Sequence, residues 1–583
     1  MSLSQQHPTE AVDPVWTGPK SIQIPPTDIL TFVFANLSQY DNSCPIFIDA
    51  NDPSNRISAQ QALRTVLQLI HSLRALGLKE GECVCLHAFN NIWYPLIWLA
   101  TIGSGARVVG SNPKYTKDEL IHLLGLTKPK VIFAQVDCIE PMVEAVTHCE
   151  TNSQIFVIES HDTSYQVRRR DYASWRTLLR EPAADWYVRA ADGKPDQEDI
   201  AVYAMTSGTT GLPKAAMISH RYIVALTATL EATFRHRPYR PSQLICLPVF
   251  HAFASPLALV LPLRLGLPTF FLPKWSLSEY LQALQRFTIT DTPVSPPIIG
   301  ALTRLPASDV PLLQSLRYVI CAGAALPASV QNKLYDVLDP EAVIAQCWGT
   351  TEAGWHSLGS SKQRDFSGSV GRLLPNAQMK LVGAEGNLIF REGEAGEAFI
   401  KAPTLFSGYL GNPEADRDSF DPEGFYRTGD LLSVEGGLLH YSDRIKETLK
   451  VKGWQVSPSE IESVLVQHPQ IADVAIAGDI RTNDLGLWDT FPMAYVVRSS
   501  GDSRPSLTEQ DVKDFVASRL ISYKHITGDV IFVKQIPRSP SGKILRRNLP
   551  QAERELLNED VAPVAQEEEE EEVVVVVVEV DRH

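Results

Sequence analysis

Apolar and polar positions along this chain switch repeatedly between a period near three and a half and short unbroken runs. Between residues 58 and 76, Leu63, Val66, Ile70 and Leu73 recur at spacings of three and four and so share one face of a helix. Ser58 with Gln61 makes a capping-box pair at its start, and Gly77 is a stop signal at its end. The apolar run 83–88 predicts a buried strand, followed by a helix over 93–102 and a strand over 106–110. Alternation of this kind predicts an α/β layered architecture.

Past residue 440 the texture changes. A charged, glycine-containing stretch, 443–453, leads into a second, smaller set of elements. There Ser506 with Glu509 forms another capping-box pair, ahead of a helix that turns Val512, Val516 and Leu520 inward, and 493–497 predicts a strand. From 551 onward the chain is acidic, with six glutamates, 567–572, followed by six valines, 573–578, close to its end. Like charges oppose packing, so disorder is expected in this tail. The valine run is too short to span a bilayer and is an aggregation liability guarded by charge. The predicted organisation is a large N-terminal α/β domain of several subdomains over 1–443, a small α+β domain over 444–550 and a low-complexity tail over 551–583.

Composition removes several function classes. A chain of 583 residues exceeds what one core serves. No apolar run approaches the roughly 20 residues that cross a bilayer, so no membrane span is expected. The polar start has no basic segment followed by an apolar core, which predicts no secretory signal and a cytoplasmic protein. Eight cysteines are scattered without a CxxC pair or a histidine cluster, so they are expected to be reduced core thiols. A net charge of −15 opposes nucleic-acid binding, which needs Lys and Arg against phosphate.

The candidate chemistry begins after the apolar run 201–205. Thr206, Ser207, Gly208, Thr209, Thr210, Gly211, Leu212, Pro213 and Lys214 form a Ser/Thr/Gly-rich loop closed by a lysine. Its glycines let backbone approach phosphate, while amides, hydroxyls and lysine supply donors and charge. The spacing is not that of a Walker A loop, which opposes a P-loop ATPase. Taken alone, the segment also reads as a flexible turn.

With this loop the chain resembles the adenylate-forming superfamily of acyl-CoA synthetases, luciferases and peptide-synthetase adenylation domains, in its 4-coumarate-CoA-ligase-like branch. The matching segments follow in that family's order: Pro248-Val-Phe-His-Ala-Phe253, Gly323-Ala-Ala325, Gln346-Cys-Trp-Gly-Thr-Thr-Glu352, Tyr426-Arg-Thr-Gly-Asp430, Asp443-Arg-Ile-Lys-Glu447 with Lys450-Val-Lys-Gly-Trp-Gln455, and Pro540-Ser-Gly-Lys543.

The resemblance implies a large α/β AMP-binding domain with a small mobile α+β domain, and an ATP-dependent ligase. Such an enzyme activates a carboxylic acid as an acyl-adenylate and passes the acyl group to the thiol of coenzyme A. It implies that ATP and AMP are held by the 206–214 loop together with Gly323, Ala324, Ala325, Gln346, Cys347, Trp348, Gly349, Thr350, Asp430 and Arg444. Trp348 would stack on adenine, Asp430 and Arg444 would hold the ribose, Thr351 would contact the α-phosphate and Glu352 would coordinate Mg²⁺, a hard cation that prefers oxygen. Lys543 would bridge the acid's carboxylate and the α-phosphate, offsetting charge as oxygen attacks phosphorus. His251 is assigned to the carboxylate and thiol end of the site; a histidine in an apolar stretch otherwise reads as core. The acyl pocket would comprise His251, Phe253, Ala324 and Cys347. Lys446 matches the hinge, Lys452, Gly453 and Trp454 the coenzyme A tunnel, and Lys450 and Gln455 the placement of nucleotide and carboxylate.

Three positions depart from the family pattern: Cys347 stands where aromatic-acid ligases often carry Gly, Trp348 replaces Tyr and Thr350 replaces Met. Cys347 narrows the pocket, leaving aryl, medium-chain and polyketide-derived acids open, in secondary, fatty-acid or aryl-acid metabolism. The chain ends Asp-Arg-His, not in the Ser-Lys-Leu peroxisomal address. Two other readings remain at this point: an acyl-AMP ligase that loads the phosphopantetheine of a polyketide- or peptide-synthetase carrier protein, and a non-catalytic nucleotide-binding protein.

Overall fold

The computed structural model describes residues 15–159, 172–179, 185–186, 190–191, 194–195, 198–206, 213–235, 237–451, 454–482, 488–499, 507–540 and 542–550; the predicted tail, 551–583, lies outside them. By proximity the chain divides into two compact units, one of Met1–Lys450, Gln455–Ser463 and Arg538–Lys543, the other of Val451–Trp454, Val464–Pro537 and Ile544–His583.

The first predicted helix forms over Ala59–Ala75 with both bonds of its capping box: Gln61 N–H donates to Ser58 Oγ at 3.2 Å and Ser58 N–H to Gln61 Oε1 at 2.9 Å. Gly77 ends it at φ +82, with its N–H on Arg74 O and the Leu78 N–H on Leu73 O, the paired bonds of a Schellman stop. Val66, Ile70 and Leu73 are buried as predicted, and Leu63 is half-buried. The next elements are strand Cys83–His87, helix Tyr94–Gly103 and strand Arg107–Ser111. Helix Tyr94–Gly103 is apolar all round and buried along its whole length, so it has no solvent face to show as a period.

Two large sheets dominate the larger unit. One runs Lys214–Ser219, Ile200–Thr206, Arg107–Ser111, Cys83–His87, Val131–Gln135, Gln154–Ile158, Ala173–Ser174; all neighbours are parallel except the first pair, whose hairpin brackets the glycine-rich loop. The other has parallel Asp291–Val294, Tyr318–Cys321 and Val343–Thr350 side by side, so the residues after their carboxyl ends meet along one edge. In open α/β sheets that edge is where ligands bind. The chain then doubles back antiparallel through Gly354–Leu358 with a bulge at Trp348/Gly349. Gly349 is required there, because a Cβ would sit 2.5 Å from Gly354 O.

A third, antiparallel sheet ends in the hairpin Tyr426–Glu435 and Leu438–Arg444. Its turn, Gly436-Gly437, has φ +57 and +73, the two-residue geometry that matches strand twist.

In the smaller unit, Ile471–Thr482 pairs antiparallel with Trp488–Arg498, which contains the predicted 493–497 strand and pairs parallel with Val530–Phe532. Ala475, Tyr495, Val533, Ile536 and Leu549 form its core. Helix Glu509–Ala517 buries Val512 and Val516, but its capping box is Thr508 with Asp511, not Ser506 with Glu509. The stretch 506–511 contains that pattern twice, and the pair two residues later closes reciprocally; Ser506 itself lies outside the described residues, and Leu520 falls beyond the helix end and is half-buried.

All eight cysteines are free thiols and six are buried, where loss of hydration pushes Cys83, Cys138 and Cys246 up to about 12. No helix among the described residues is long and apolar enough to cross a membrane. Removing one cap bond tests the local account: Ser58→Ala should lower stability by about 1 kcal/mol, read as a lower denaturation midpoint with unchanged secondary structure.

Candidate active site

The site is organised round a buried carboxylate. Asp430 is 2% exposed, and its two oxygens are taken by different donors: Oδ2 accepts from Trp348 Nε1 at 2.8 Å and Oδ1 from Arg444 Nε at 3.1 Å. The arginine is there because the glycine turn starts the hairpin register and a one-residue bulge between Leu431 and Leu432 shifts it, which sets Asp430 opposite Arg444. The indole comes from the residue just before the Trp348/Gly349 bulge, paired with Ser357, and pairing resumes past the bulge at Gly349 and Thr350. Burial pushes the Asp430 carboxyl above its usual range, while the Arg444 guanidinium, the Trp348 hydrogen bond and Lys543 work against that rise. Donors on both oxygens favour the ionised form.

Glu352 lies at the turn after Val343–Thr350. Its Oε1 accepts from Tyr409 Oη at 2.7 Å, and Lys214 Nζ sits 4.6 Å from the centre of the Tyr409 ring. Tyr409 thus joins the last residue of the glycine-rich segment to the carboxylate that the resemblance assigns to Mg²⁺. Burial, and then the charge of Glu352, push its phenol well up, so it stays a donor. Thr351 O accepts from Tyr222 Oη at 3.0 Å, and Thr350 Oγ1 contacts His356 Nε2 at 3.2 Å.

Thr206 and Lys214 face each other across their hairpin, and His122 Nε2 contacts Pro213 O at 2.7 Å. Gly323 is exposed at φ +96 just beyond strand Tyr318–Cys321, a conformation only glycine adopts cheaply, with Ala324 and Ala325 following it. Gln346 is committed to the fold, its amide donating to Leu326 O and Gln331 Oε1. Cys347 is buried. Phe253 packs on Trp355 with ring centres 5.3 Å apart. His251 has a partly open surface but is otherwise surrounded by protein, which pushes it down to about 4. Its Nδ1 accepts from Phe253 N–H at 3.3 Å, leaving Nε2 as the protonated nitrogen. The side chain therefore offers a hydrogen bond rather than a base.

Lys543 lies on a tight hairpin in which Ser539 N–H donates to Lys543 O and Gly542 N–H to Ser539 O. Gly542 takes φ +87 against Ser295 and Pro297, where a Cβ would meet Ser295 Cβ at 3.0 Å. Lys543 Nζ is 2.7 Å from Glu447 Oε1. Lys446 is exposed on the turn Ile445–Glu447. The predicted Ser207, Gly208, Thr209, Thr210, Gly211, Leu212, Lys452 and Gly453 lie outside the described residues; Lys450, Trp454 and Gln455 fall in the short strands Leu449–Val451 and Trp454–Val456.

Sequence reasoning missed Tyr409, Tyr222, His356 and the role of Glu447 as partner of Lys543. Tyr409 and Tyr222 sit outside every motif, so their contacts have no local signal; Glu447 was in view within its motif, but nothing there pointed to a residue 96 positions away.

The two held carboxylates and the loop lysine gather beside the carboxyl ends of parallel strands, where open α/β sheets bind their ligands. The chain belongs to the AMP-binding enzyme family, which matches residues 36–410, with the AMP-binding enzyme C-terminal domain matching 460–543. It is 38% identical to the acyl-CoA ligase azaF of Aspergillus niger, over 91% of this chain and 99% of that one. It is 37% identical to the phenylacetyl-CoA ligase epaB of Aspergillus niger, over 93% and 99%. In fold it is similar to the anthranilate CoA ligase AuaEII in complex with anthranoyl-AMP, with a TM-score of 0.77 at 23% identity over 91% and 98% of the two chains.

Burial keeps three imidazoles neutral: His87 and His251 are pushed down to about 4 and His356 to about 3. The unfolded chain takes up protons at these positions near the ordinary value of 6.5 and the folded chain does not. Their contribution is thus complete above about pH 6.5 and is lost as pH falls toward the folded values. Denaturation midpoints should drop steadily from about pH 6.5 to about pH 4, with a shallower slope in His356→Asn.

Proposed function

We propose that this chain is an AMP-forming acyl-CoA ligase, and the observation that carries the reading is the Trp348–Asp430–Arg444 assembly within electrostatic reach of Lys543. In the first half-reaction an oxygen of the acid's carboxylate attacks the α-phosphorus of ATP. The bond to the bridging oxygen breaks, and pyrophosphate leaves with its electron pair. In the second, the thiol of coenzyme A attacks the acyl carbon, its proton is lost, and AMP departs.

Each residue has work suited to its chemistry. Asp430 accepts from the ribose hydroxyls, with Arg444 reinforcing the contact and Trp348 beside the adenine. The loop 206–214 and Gly323 present backbone to phosphate. Lys543 offsets charge at the attacking carboxylate and α-phosphate, while His251 donates Nε2–H near the acid.

Glu352 would hold the magnesium that accompanies ATP and screens its phosphates. Among the described residues no three acidic, His or Cys side chains form a metal cage. A single tyrosine-held carboxylate suits this ion, which usually keeps its waters and the phosphates and takes one or two protein carboxylates.

What supports an aryl or arylalkanoic acid is the class named for the phenylacetyl-CoA ligase relative and for a nicotinic acid-CoA ligase of Penicillium canescens, 30% identical, with Phe253 offered as an aromatic pocket residue. We assign most of the nucleotide-binding residues to an AMP-binding domain over 1–443, while 444–550, a C-terminal mobile AMP-binding domain, contributes Arg444 to the ribose, Lys543 to acid activation and the segment directed at the thiol. A carrier protein bearing the same pantetheine thiol is the alternative acceptor.

The test is acid-dependent pyrophosphate release across aryl, arylalkanoic, medium-chain and long-chain acids, with and without coenzyme A. One acid class should stimulate release, a CoA thioester should accumulate, and Lys543→Ala should slow release by roughly 10²-fold or more. Adenylate without thioester would assign the acyl group to a carrier protein. A folded protein that releases no pyrophosphate with any acid would sink the ligase reading.

A further inference from the structure

The residue that faces Lys543 has no role in the reading above. We propose that Glu447 is a positioning residue for acid activation, its carboxylate 2.7 Å from Lys543 Nζ fixing the ammonium beside the Asp430–Arg444 pair. This deepens the ligase reading and rests on it.

The electrostatics call for such a partner. Lys543 is largely enclosed, with 21% of its side chain exposed, and burial acts first to depress its basicity, with the Arg444 guanidinium adding to the effect. Glu447 and Asp430 pull the other way. Asp430 already accepts from Arg444 and Trp348, so the carboxylate in direct contact with the ammonium is Glu447, itself only 17% exposed. The nearby cation on the lysine's own hairpin, Arg538, donates to Gly542 O. A buried lysine beside a guanidinium tends to lose its proton, and a lysine without its proton cannot offset the charge of two oxyanions.

The local fold holds Glu447 in place. The turn Ile445–Glu447 begins directly after Arg444, so three residues carry the chain from the partner of Asp430 to the partner of Lys543. The segment is anchored just upstream by Asp443, 2% exposed, whose Oδ2 accepts from Ser457 Oγ at 2.7 Å and Ser459 N–H at 3.1 Å. An ammonium has three protons. One directed at Glu447 leaves two, the number needed for one oxygen of the acid and one of the α-phosphate.

The experiment uses the full chain and two readouts. The first is acid-dependent ATP–pyrophosphate exchange against pH. Glu447→Gln should lower kcat roughly tenfold, leave KM for ATP within about twofold, and move the alkaline limb down by about one pH unit; Glu447→Asp should recover part of the loss. The second is the pH dependence of Lys543 labelling by an amine-acylating reagent, read by peptide mass, which needs no acid substrate. Its midpoint should fall by about one pH unit in Glu447→Gln. An unmoved labelling midpoint overturns the inference, as does an exchange defect with an unmoved alkaline limb and no recovery in Glu447→Asp. Absence of exchange in the unsubstituted protein counts against the ligase reading alone, while a shifted labelling midpoint still upholds the Glu447–Lys543 coupling.

Discussion

A charge that cannot reach water governs this structure. Asp430 is nearly sealed, and its carboxylate is tolerable only because an indole N–H and a guanidinium each take one oxygen. Removing either partner would leave a buried charge short of a donor, a loss of roughly 1.5–3 kcal/mol for a hydrogen bond to a charged group. The three residues come from different places: Trp348 from the nine-stranded sheet, Asp430 and Arg444 from adjacent strands of the antiparallel sheet. Satisfying one carboxylate therefore ties two sheets together at the site proposed for the nucleotide.

The other polar groups follow the same economy of few donors and enclosed acceptors. Glu352 is steered by the Tyr409 hydroxyl, whose ring also lies under the Lys214 ammonium, so one aromatic side chain orients an anion and a cation at once. His251 is kept neutral by enclosure and has its tautomer set by a backbone N–H two residues on. In each case the chemistry of the group is decided by what the surrounding backbone leaves it to bond with.

Much of this was legible in the chain. The capping box at Ser58 and the stop at Gly77 are local rules, and both formed as read. The ordered motifs named Trp348, Asp430, Arg444 and Lys543, and the fold brings these four within electrostatic reach of one another. Two kinds of feature escaped. Where a local pattern occurs twice in a few residues, as at 506–511, the sequence does not choose, and the reciprocal hydrogen bonds of Thr508 and Asp511 do. Where a contact spans a long sequence separation, as Tyr409 to Glu352 or Lys543 to Glu447, only the fold creates it. Gln346 shows the converse: it sits inside a motif, yet its amide is spent on Leu326 and Gln331.

The double-glycine turn at residues 436 and 437 has a consequence for how this enzyme can vary over evolutionary time. Together with the hairpin's bulge between Leu431 and Leu432 it fixes the count of residues between the buried carboxylate and the guanidinium opposite it, and side chains along a strand change face at every step. A one-residue insertion or deletion in that turn would swing the guanidinium to the other side of the sheet and strand the carboxylate. The stretch from 430 to 444 therefore acts as a ruler: lineages can exchange its outward-facing residues freely, but they can change its length only by altering the bulge in compensation.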